Sequence, residues 1–385
     1  MKTSESRILT THMGSLPRGE VLSDLLVARD NGETVDEALL AREIATAMQH
    51  VVDRQLASGV DIGNDGEQPR VSFQTYVTSR MTGFGGEGKR PMPLETKLYP
   101  KWAELLKTRR AARSRVYNPP AAIAEVRYED FSGVEAECDG FRRCLDAADG
   151  AFLETFMTAA SPGIVTTTMM NHHYDSHEDY LFSVAREIGK EYRYIADRGY
   201  LLQIDAPDLA MERASFFQDL SIPEFQERVA LHVEAINVAV EGIARDRVRL
   251  HSCWGNRDGP HTEDVALEHV LPHLLEAKVG ALCLPFANPR HSHEVEALGT
   301  GAIPDDLIVV AGVIESTNNY VEHPEVVKRR ILEAADALGD RERLVAGVDC
   351  GFGTFAGDSF VAEDVVWAKL AILAEGAKLA SAALR

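Results

Sequence analysis

Val248-Arg-Leu-His251-Ser-Cys253-Trp254-Gly-Asn256 opens with alternating apolar residues, as a half-buried strand does, and closes in a Gly/Asn turn. Side chains two apart on a strand share a face, so His251 and Cys253 point the same way. An imidazole and a thiolate side by side at a strand end are two ready ligands for zinc. A His-x-Cys pair alone fits equally well a buried histidine beside an inert thiol. A second strand far downstream shifts the balance. Leu344-Val-Ala-Gly-Val-Asp349-Cys350-Gly351-Phe-Gly353 also ends in a cysteine followed by a glycine turn. Two strands ending in soft ligands imply one shared zinc site, with His251, Cys253 and Cys350 as its ligands.

Outward from these two strands the text repeats a rhythm. Strands are expected to start at residues 7, 60, 155, 200, 248, 281, 307 and 344, nearly all separated by helical text. The helices are expected over Val35 to Ala57, Ser176 to Arg198, Pro223 to Arg245, Glu263 to Glu276, Pro324 to Leu338 and Ala362 to Ala383. Ser176 reads as an N-cap and Gly199 as a stop. No Gly-x-Gly-x-x-Gly follows a strand, which disfavours a dinucleotide fold. Eight β/α units in one chain predict an α/β architecture, a closed (β/α)8 TIM barrel spanning residues 1–385 as one domain. The rhythm breaks after the second strand. A Gly-, Pro- and Lys/Arg-containing excursion at about 80–150, with a strand at Ala122 to Tyr128, has too little apolar text for a core of its own. It is expected to cover one end of the barrel.

The totals narrow the function. The 385 residues carry 40 Lys and Arg against 60 Asp and Glu, a net charge of −20 that repels phosphate backbones and anionic lipid. Neither nucleic acid nor membrane is an expected partner. The start at Met1-Lys-Thr-Ser-Glu-Ser has no apolar leader core, and five scattered cysteines fit reduced thiols, so a cytoplasmic protein is expected. Barrel active sites lie at the carboxyl ends of the strands. Those ends here carry His12-Met-Gly14-Ser15, Asp65-Gly-Glu67, Asp205, His251 and Cys253, Asn288-Pro-Arg290-His291, Glu315-Ser-Thr-Asn318, and Asp349-Cys350. Capping needs explain some Asp, Asn and Ser at such turns, but not a gathering of His, Cys and Glu.

These residues resemble a known family, the catalytic barrel of cobalamin-independent methionine synthase and its single-barrel relatives. The resemblance covers essentially the whole chain. It is carried by Thr11-His-Met-Gly-Ser-Leu-Pro17, Asp61-Ile-Gly-Asn-Asp-Gly-Glu-Gln-Pro-Arg70, His251-Ser-Cys-Trp-Gly-Asn256, Ala287-Asn-Pro-Arg-His291 and Val348-Asp-Cys-Gly351. It implies a Zn2+ cofactor held by His251, Cys253 and Cys350 plus a glutamate. Gly14, Ser15 and Glu67 would hold the amino-acid part of a thiol substrate, with Asp205 beside its thiol or amine, and Asn288 and Arg290 join the substrate set. Two departures stand out. The family's glutamate position is Pro285 here, which leaves three protein ligands and an open position, the pattern of catalytic zinc. Cys283, on the same strand face, is a substitute ligand only if it escapes the inertness usual for buried thiols. The second barrel of the full-length synthase, which contributes to binding polyglutamylated methylfolate, has no counterpart.

The chemistry expected is attack of a thiolate on a methyl or other activated alkyl carbon, with a small-molecule thiol acceptor such as homocysteine and a methyl or alkyl donor as partners. A free thiol has a pKa of about 8.5, so activation by zinc is what the site would add. The acid that protonates the leaving atom is sought among His172, His173 and His177 in Asn171-His-His-Tyr174-Asp-Ser-His177, or at Glu315. The bland alternatives are a polar surface for His172 and His173 and carboxylate pairing for His291 and His293. For Asp349 the alternative is a hydrogen-bond acceptor, and for Asp61 and Asp65 turn formation. Two other functions compete. Epoxide opening of the epoxyalkane:coenzyme M transferase type needs Arg18, Arg70 or Arg290 for a sulfonate. A metal-free lyase like uroporphyrinogen decarboxylase needs an arginine-rich cleft. Oligomeric state is left open by the sequence.

Overall fold

Two of the barrel strands are only two residues long, and their pairing still closes the ring. In the computed structural model, which describes residues 1–109, 118–301, 303–358 and 360–384 with the side chains at 107–109 and 300 excepted, there are ten strands. These are β1 (Leu9–Thr10), β2 (Ile62–Gly63), β3 (Met81–Gly85), β4 (Ala121–Tyr128), β5 (Glu154–Ala160), β6 (Leu201–Asp205), β7 (Val248–His251), β8 (Ala281–Pro285), β9 (Ile308–Ile314) and β10 (Leu344–Val348). Eight of them form one parallel sheet in the order β1-β10-β9-β8-β7-β6-β5-β2. A parallel bridge between Thr11 and Ile62 joins its two ends. The result is the (β/α)8 barrel, and each expected strand start matches an observed one to within two residues.

The helices form where their caps allow. Asp36 accepts from the Ala38 and Leu39 amides to start Glu37–Ala57. Ser176 accepts from the Asp179 amide to start His177–Asp197, and Gly199 at φ 88° stops it. Ser221 and Glu224 make a reciprocal capping box for Ile222–Ala239. That helix was expected to run to Arg245, but Gly242 at φ 85° turns the chain away. The helix expected from Glu263 shrinks to Leu267–Leu274, because His261 and Asp264 are held in a polar loop and the Glu294 carboxylate caps Leu267 from another loop. One hydrophobic cluster fills the barrel and the layer between strands and helices, from Ile8 to Ala380.

The excursion after β2 is smaller than expected. β3 and β4 pair as an antiparallel hairpin, with Phe84 opposite Ala122, and the strand expected at 122–128 is there. The stretch between β3 and β4 brings Arg90 to Pro93 over the carboxyl end of the barrel, pinned by Leu94 N–H to the Ala214 carbonyl at 2.8 Å. The stretch 110–117 lies outside the described residues. Helix Ser132–Ala147, counted with the insertion from sequence, packs on Glu37–Ala57 and His177–Asp197 as an ordinary member of the ring. Its amphipathic face supplies Val134, Cys138, Phe141 and Cys144 to the core.

A buried charge network joins hairpin to ring. Glu137 accepts from Arg70 Nη2 at 2.8 Å and from Arg80. Glu191 accepts from Arg80 Nη1 at 3.0 Å and from the Tyr76 and Tyr128 hydroxyls. All four charged side chains are buried. Removing one partner of such a network strands the others in a low-dielectric interior, at a cost of about 3–5 kcal/mol. Glu137→Ala is therefore expected to lower stability by that amount in equilibrium urea unfolding. An unchanged midpoint would mean that the network adds nothing to stability.

Candidate metal centre and substrate cleft

The site is built upward from the barrel interior. Arg249 on β7 is almost fully buried and lies over the Phe156 ring, 3.6 Å from its centroid. It donates to Gln203 Oε1 at 2.7 Å, to Thr11 Oγ1 at 3.1 Å and to the His12 carbonyl at 2.8 Å. Gln203 is thereby turned so that its amide donates to Asp205 Oδ1 at 2.7 Å and to the Met13 carbonyl at 3.0 Å. The same Asp205 oxygen stands 2.9 Å from His251 Nδ1. A carboxylate that accepts a hydrogen bond from Nδ1–H fixes the imidazole tautomer and leaves Nε2 as the coordinating nitrogen.

His251, Cys253 and Cys350 do meet. Their ligand atoms all lie within 4.8 Å of one another. The two sulfurs are 3.9 Å apart. Two sulfurs at the usual 2.3 Å from a tetrahedral zinc are about 3.8 Å apart, so the donor set and its spacing fit the ion the sequence implies. The electrostatics agree. A hydrogen bond from Cys350 and the nearby His251 hold the Cys253 thiol well below its ordinary range. Burial opposes charge on His251, but the Cys253 sulfur and the Asp205 carboxylate hold its imidazole well above the usual histidine value. Among the described residues no fourth His, Cys, Asp or Glu joins the cluster. Pro285 instead borders a cavity of about 30 Å³ shared with Cys253, Cys350, Glu315 and Asp349, enough for a water molecule.

A cleft of about 170 Å³ opens over the cluster. Ser15, Glu67 and Asp205 line it beside His251, Cys253 and Cys350, while Phe73, Met92, Met211 and Phe355 give its outer part an apolar surface. Glu67 is the unusual member. Its backbone is left-handed, φ 54°, and its side chain is buried. Oε1 accepts from Thr158 Oγ1 at 3.0 Å, and Oε2 has no hydrogen-bond partner. Burial and the neighbouring Asp205 push its carboxyl up to about 7. An unpartnered buried carboxylate beside a cleft is a receptor for a cationic group. Gly14, at φ 110°, permits this arrangement, since a Cβ there would stand 2.7 Å from Glu67 Oε1.

Other expected residues are elsewhere. His172 and His173 are exposed on the loop before helix His177–Asp197, and the His172 amide bonds to Ala122 of the hairpin. They face solvent, not the cleft, and the acid role is corrected to a surface one. His177 pairs with His232 at 3.1 Å among Phe216 and Phe217, and burial pushes it down to about 3. Glu315 borders the small cavity, and both its oxygens are occupied by Thr317 and Asn318, so it has no free oxygen to serve as an acid. Asn288 donates its backbone amide to Asp349 Oδ2 at 2.7 Å and accepts the Arg290 amide at its Oδ1, which makes it a loop former. Arg290 is exposed and reaches the His261 carbonyl, so it too leaves the substrate set. Asp349 accepts three backbone amides, as a hydrogen-bond acceptor should. Cys283 is wholly buried beside Arg249, and burial pushes its thiol up. Trp254 lies under the barrel lip, stacked on His291, and does not line the cleft.

Arginines for a sulfonate are missing from the expected places. Arg18 bonds to the Gly353 and Glu67 carbonyls, and Arg70 is taken by Glu137 and Thr158. The two arginines that do border the cleft, Arg90 and Arg257, were not foreseen. Each is paired with a fully buried glutamate, Glu212 and Glu95. Arg90 lies in the Lys89-Arg-Pro-Met-Pro run, which has no periodicity to place it, and Arg257 in the turn after Asn256.

No family model matches the chain. Curated relatives do. The methionine synthase of Thermococcus kodakarensis is 24% identical over 347 residues, 89% of this chain and 86% of that protein. The methionine synthase of Saccharolobus solfataricus is 24% identical over 376 residues, 96% of this chain and 94% of that protein. Among solved structures, a B12-independent methionine synthase from Shewanella sp. W3-18-1 in complex with selenomethionine superposes with a TM-score of 0.74 at 19% identity, covering 98% of this chain and 99% of that one. A putative vitamin-B12 independent methionine synthase from Listeria monocytogenes gives 0.64 at 18% identity, with 97% and 98% covered. Sequence relatives and fold agree over nearly the full length: the chain is similar to methionine synthases at 24% identity and shares the barrel fold of B12-independent methionine synthases.

Proposed function

We propose that this protein is a methyltransferase that methylates the sulfur of homocysteine, using zinc held by His251, Cys253 and Cys350. The observation that carries the reading is that one cleft has two soft cysteine sulfurs on one side and an unpartnered buried carboxyl group, Glu67, on the other. An α-amino thiol presents matching ends, a sulfur and an ammonium group. A zinc ion held there supplies Lewis acidity that brings the thiol below its free pKa of about 8.5.

The chain's own residues do the positioning. Glu67 and Asp205 offer negative oxygens to the ammonium group, and Ser15 lies beside them. Asp205 at the same time holds the Nδ1 side of His251, so substrate binding and ligand orientation share one carboxylate. The apolar surface of Phe73, Met92, Met211 and Phe355 excludes water from the path of an incoming methyl group. The relatives named methionine synthase support the acceptor. The coenzyme M type of reaction has no arginine lining the cleft at its three expected positions to favour it.

The direct test is incubation of zinc-loaded protein with homocysteine and isotopically labelled methyl donors, including methylcobalamin, methyltetrahydrofolate and S-methyl compounds. Labelled methionine is expected, and absence of label from every donor overturns the proposal. Asp205→Asn is expected to weaken zinc binding about 10–100-fold in chelator competition, the usual cost of losing a histidine's carboxylate partner. Glu67 sets a pH signature. Its folded value of about 7 lies above the reference 4.5. Between those values only the unfolded chain gives up the proton, so stability falls as pH rises through about 7. Glu67→Gln is expected to raise the melting temperature at pH 8. The unaltered enzyme is expected to show a rise in homocysteine KM below pH 7, and Glu67→Gln to abolish that pH dependence.

A further inference from the structure

A second cluster of ligand-type side chains lies behind the first. His261 Nδ1, Asp264 Oδ2 and His291 Nε2 converge within 4.8 Å of one another. His261 and Asp264 come from the loop after β7 and His291 from the loop after β8. All three side chains are buried. Asp264 Oδ2 stands 2.7 Å from His261 Nδ1 and 2.9 Å from His291 Nε2.

The far sides of both rings decide what the near sides can be. His261 Nε2 lies 3.0 Å from the Arg257 carbonyl, which only accepts, so that nitrogen carries a proton. His291 Nδ1 lies 2.8 Å from Glu294 Oε2, again an acceptor. Imidazoles that ligate metals nearly always give their other N–H to a carbonyl or a carboxylate in this way. With the outer nitrogens protonated, Nδ1 of His261 and Nε2 of His291 turn their lone pairs on a carboxylate oxygen. Such a meeting needs a positive centre between the groups, either a proton on each ring or one shared cation. The burial of Asp264 Oδ1 without a hydrogen bond is a second sign of an incomplete shell. Arg257 Nη2 stands 3.7 Å from that oxygen.

We propose that His261, Asp264 and His291 form a second divalent-metal site, for an ion such as zinc that takes imidazole and carboxylate ligands. The local charges balance with it. Asp264, Glu294 and Glu95 bring three negative charges, Arg257 one positive, and a divalent ion the other two. In the ion's absence the charge is carried by protons. Burial pulls His291 down, but its bonds to Asp264 and Glu294 hold it up at about 9. Metal uptake then releases protons. The three ligand atoms must spread by about half an ångström for zinc–ligand bonds of about 2.0–2.2 Å, a movement open to loop side chains. The site's effect reaches the first one through Trp254. This residue follows Cys253 directly, and its indole stacks on the His291 ring with 4.1 Å between centroids and 20° between planes. Residues of both clusters border the same cavity of about 30 Å³. The second ion would tie the loops after β7 and β8 together and so fix Cys253 from behind.

The inference does not depend on the reaction proposed above, and the test reads metal content on the full chain. After loading with zinc and gel filtration, two ions per chain are expected for the unaltered protein. Cys253→Ser/Cys350→Ser, which lacks both thiolates, is expected to keep one. Adding Asp264→Asn to that variant should leave none. Cobalt in the double-serine variant should show visible d–d bands without the sulfur charge-transfer band of the first site. One zinc per chain in the unaltered protein, or none after the cysteine replacements with the circular dichroism unchanged, overturns the proposal. Should the serine variant not fold, the count on the unaltered protein decides alone.

Discussion

A single buried cation lies under everything the site does. The Arg249 guanidinium replaces lost water with Gln203, Thr11 and the His12 carbonyl and stacks on Phe156. A guanidinium buried here without those hydrogen bonds would be far too costly to hold. Its hydrogen bonds run upward through Gln203 to Asp205 and so to His251. The orientation of the coordinating imidazole is thus set three residues away, by a charge that faces no substrate. Low dielectric makes each link in that chain stiffer than its equivalent in water.

The barrel was legible because its signal is periodic. Even the two-residue strands β1 and β2 were found, since they are followed by Met13-Gly14-Ser15 and Asp65-Gly66-Glu67, whose turns mark a strand end. The metal cluster was legible for a related reason. His251 and Cys253 lie two apart at one strand end, and parallel strands bring such ends to one rim of the barrel. The cleft's polar wall came instead from a resemblance, which named Ser15, Glu67 and Asp205.

What could not be read lies in the loops. His172 and His173 look like catalytic groups in a string of letters, but nothing periodic says that the hairpin turns them to solvent. Arg290 was drawn into the substrate set by its neighbours in a motif, although the turn made by Asn288 points it outward. Arg90 and Arg257 escaped notice because their glutamate partners, Glu212 and Glu95, are 122 and 162 residues away. Pairings across such separations leave no mark on local sequence.

The ring is sealed by the strand made last. β10 pairs with β1, and the Phe352 amide bonds to the Ser15 carbonyl at 2.8 Å, so the rim carrying Ser15 has a neighbour on one side only until that strand is present. Cys253 waits for a sulfur 97 positions further along the chain. At ordinary ribosome speeds of about 5–20 residues per second that is a delay of roughly 5–20 s. Throughout it this site offers one imidazole and one thiol, too few to chelate firmly. Acquisition of the ion held by Cys253 and Cys350 is thereby placed after synthesis of the barrel's final strand.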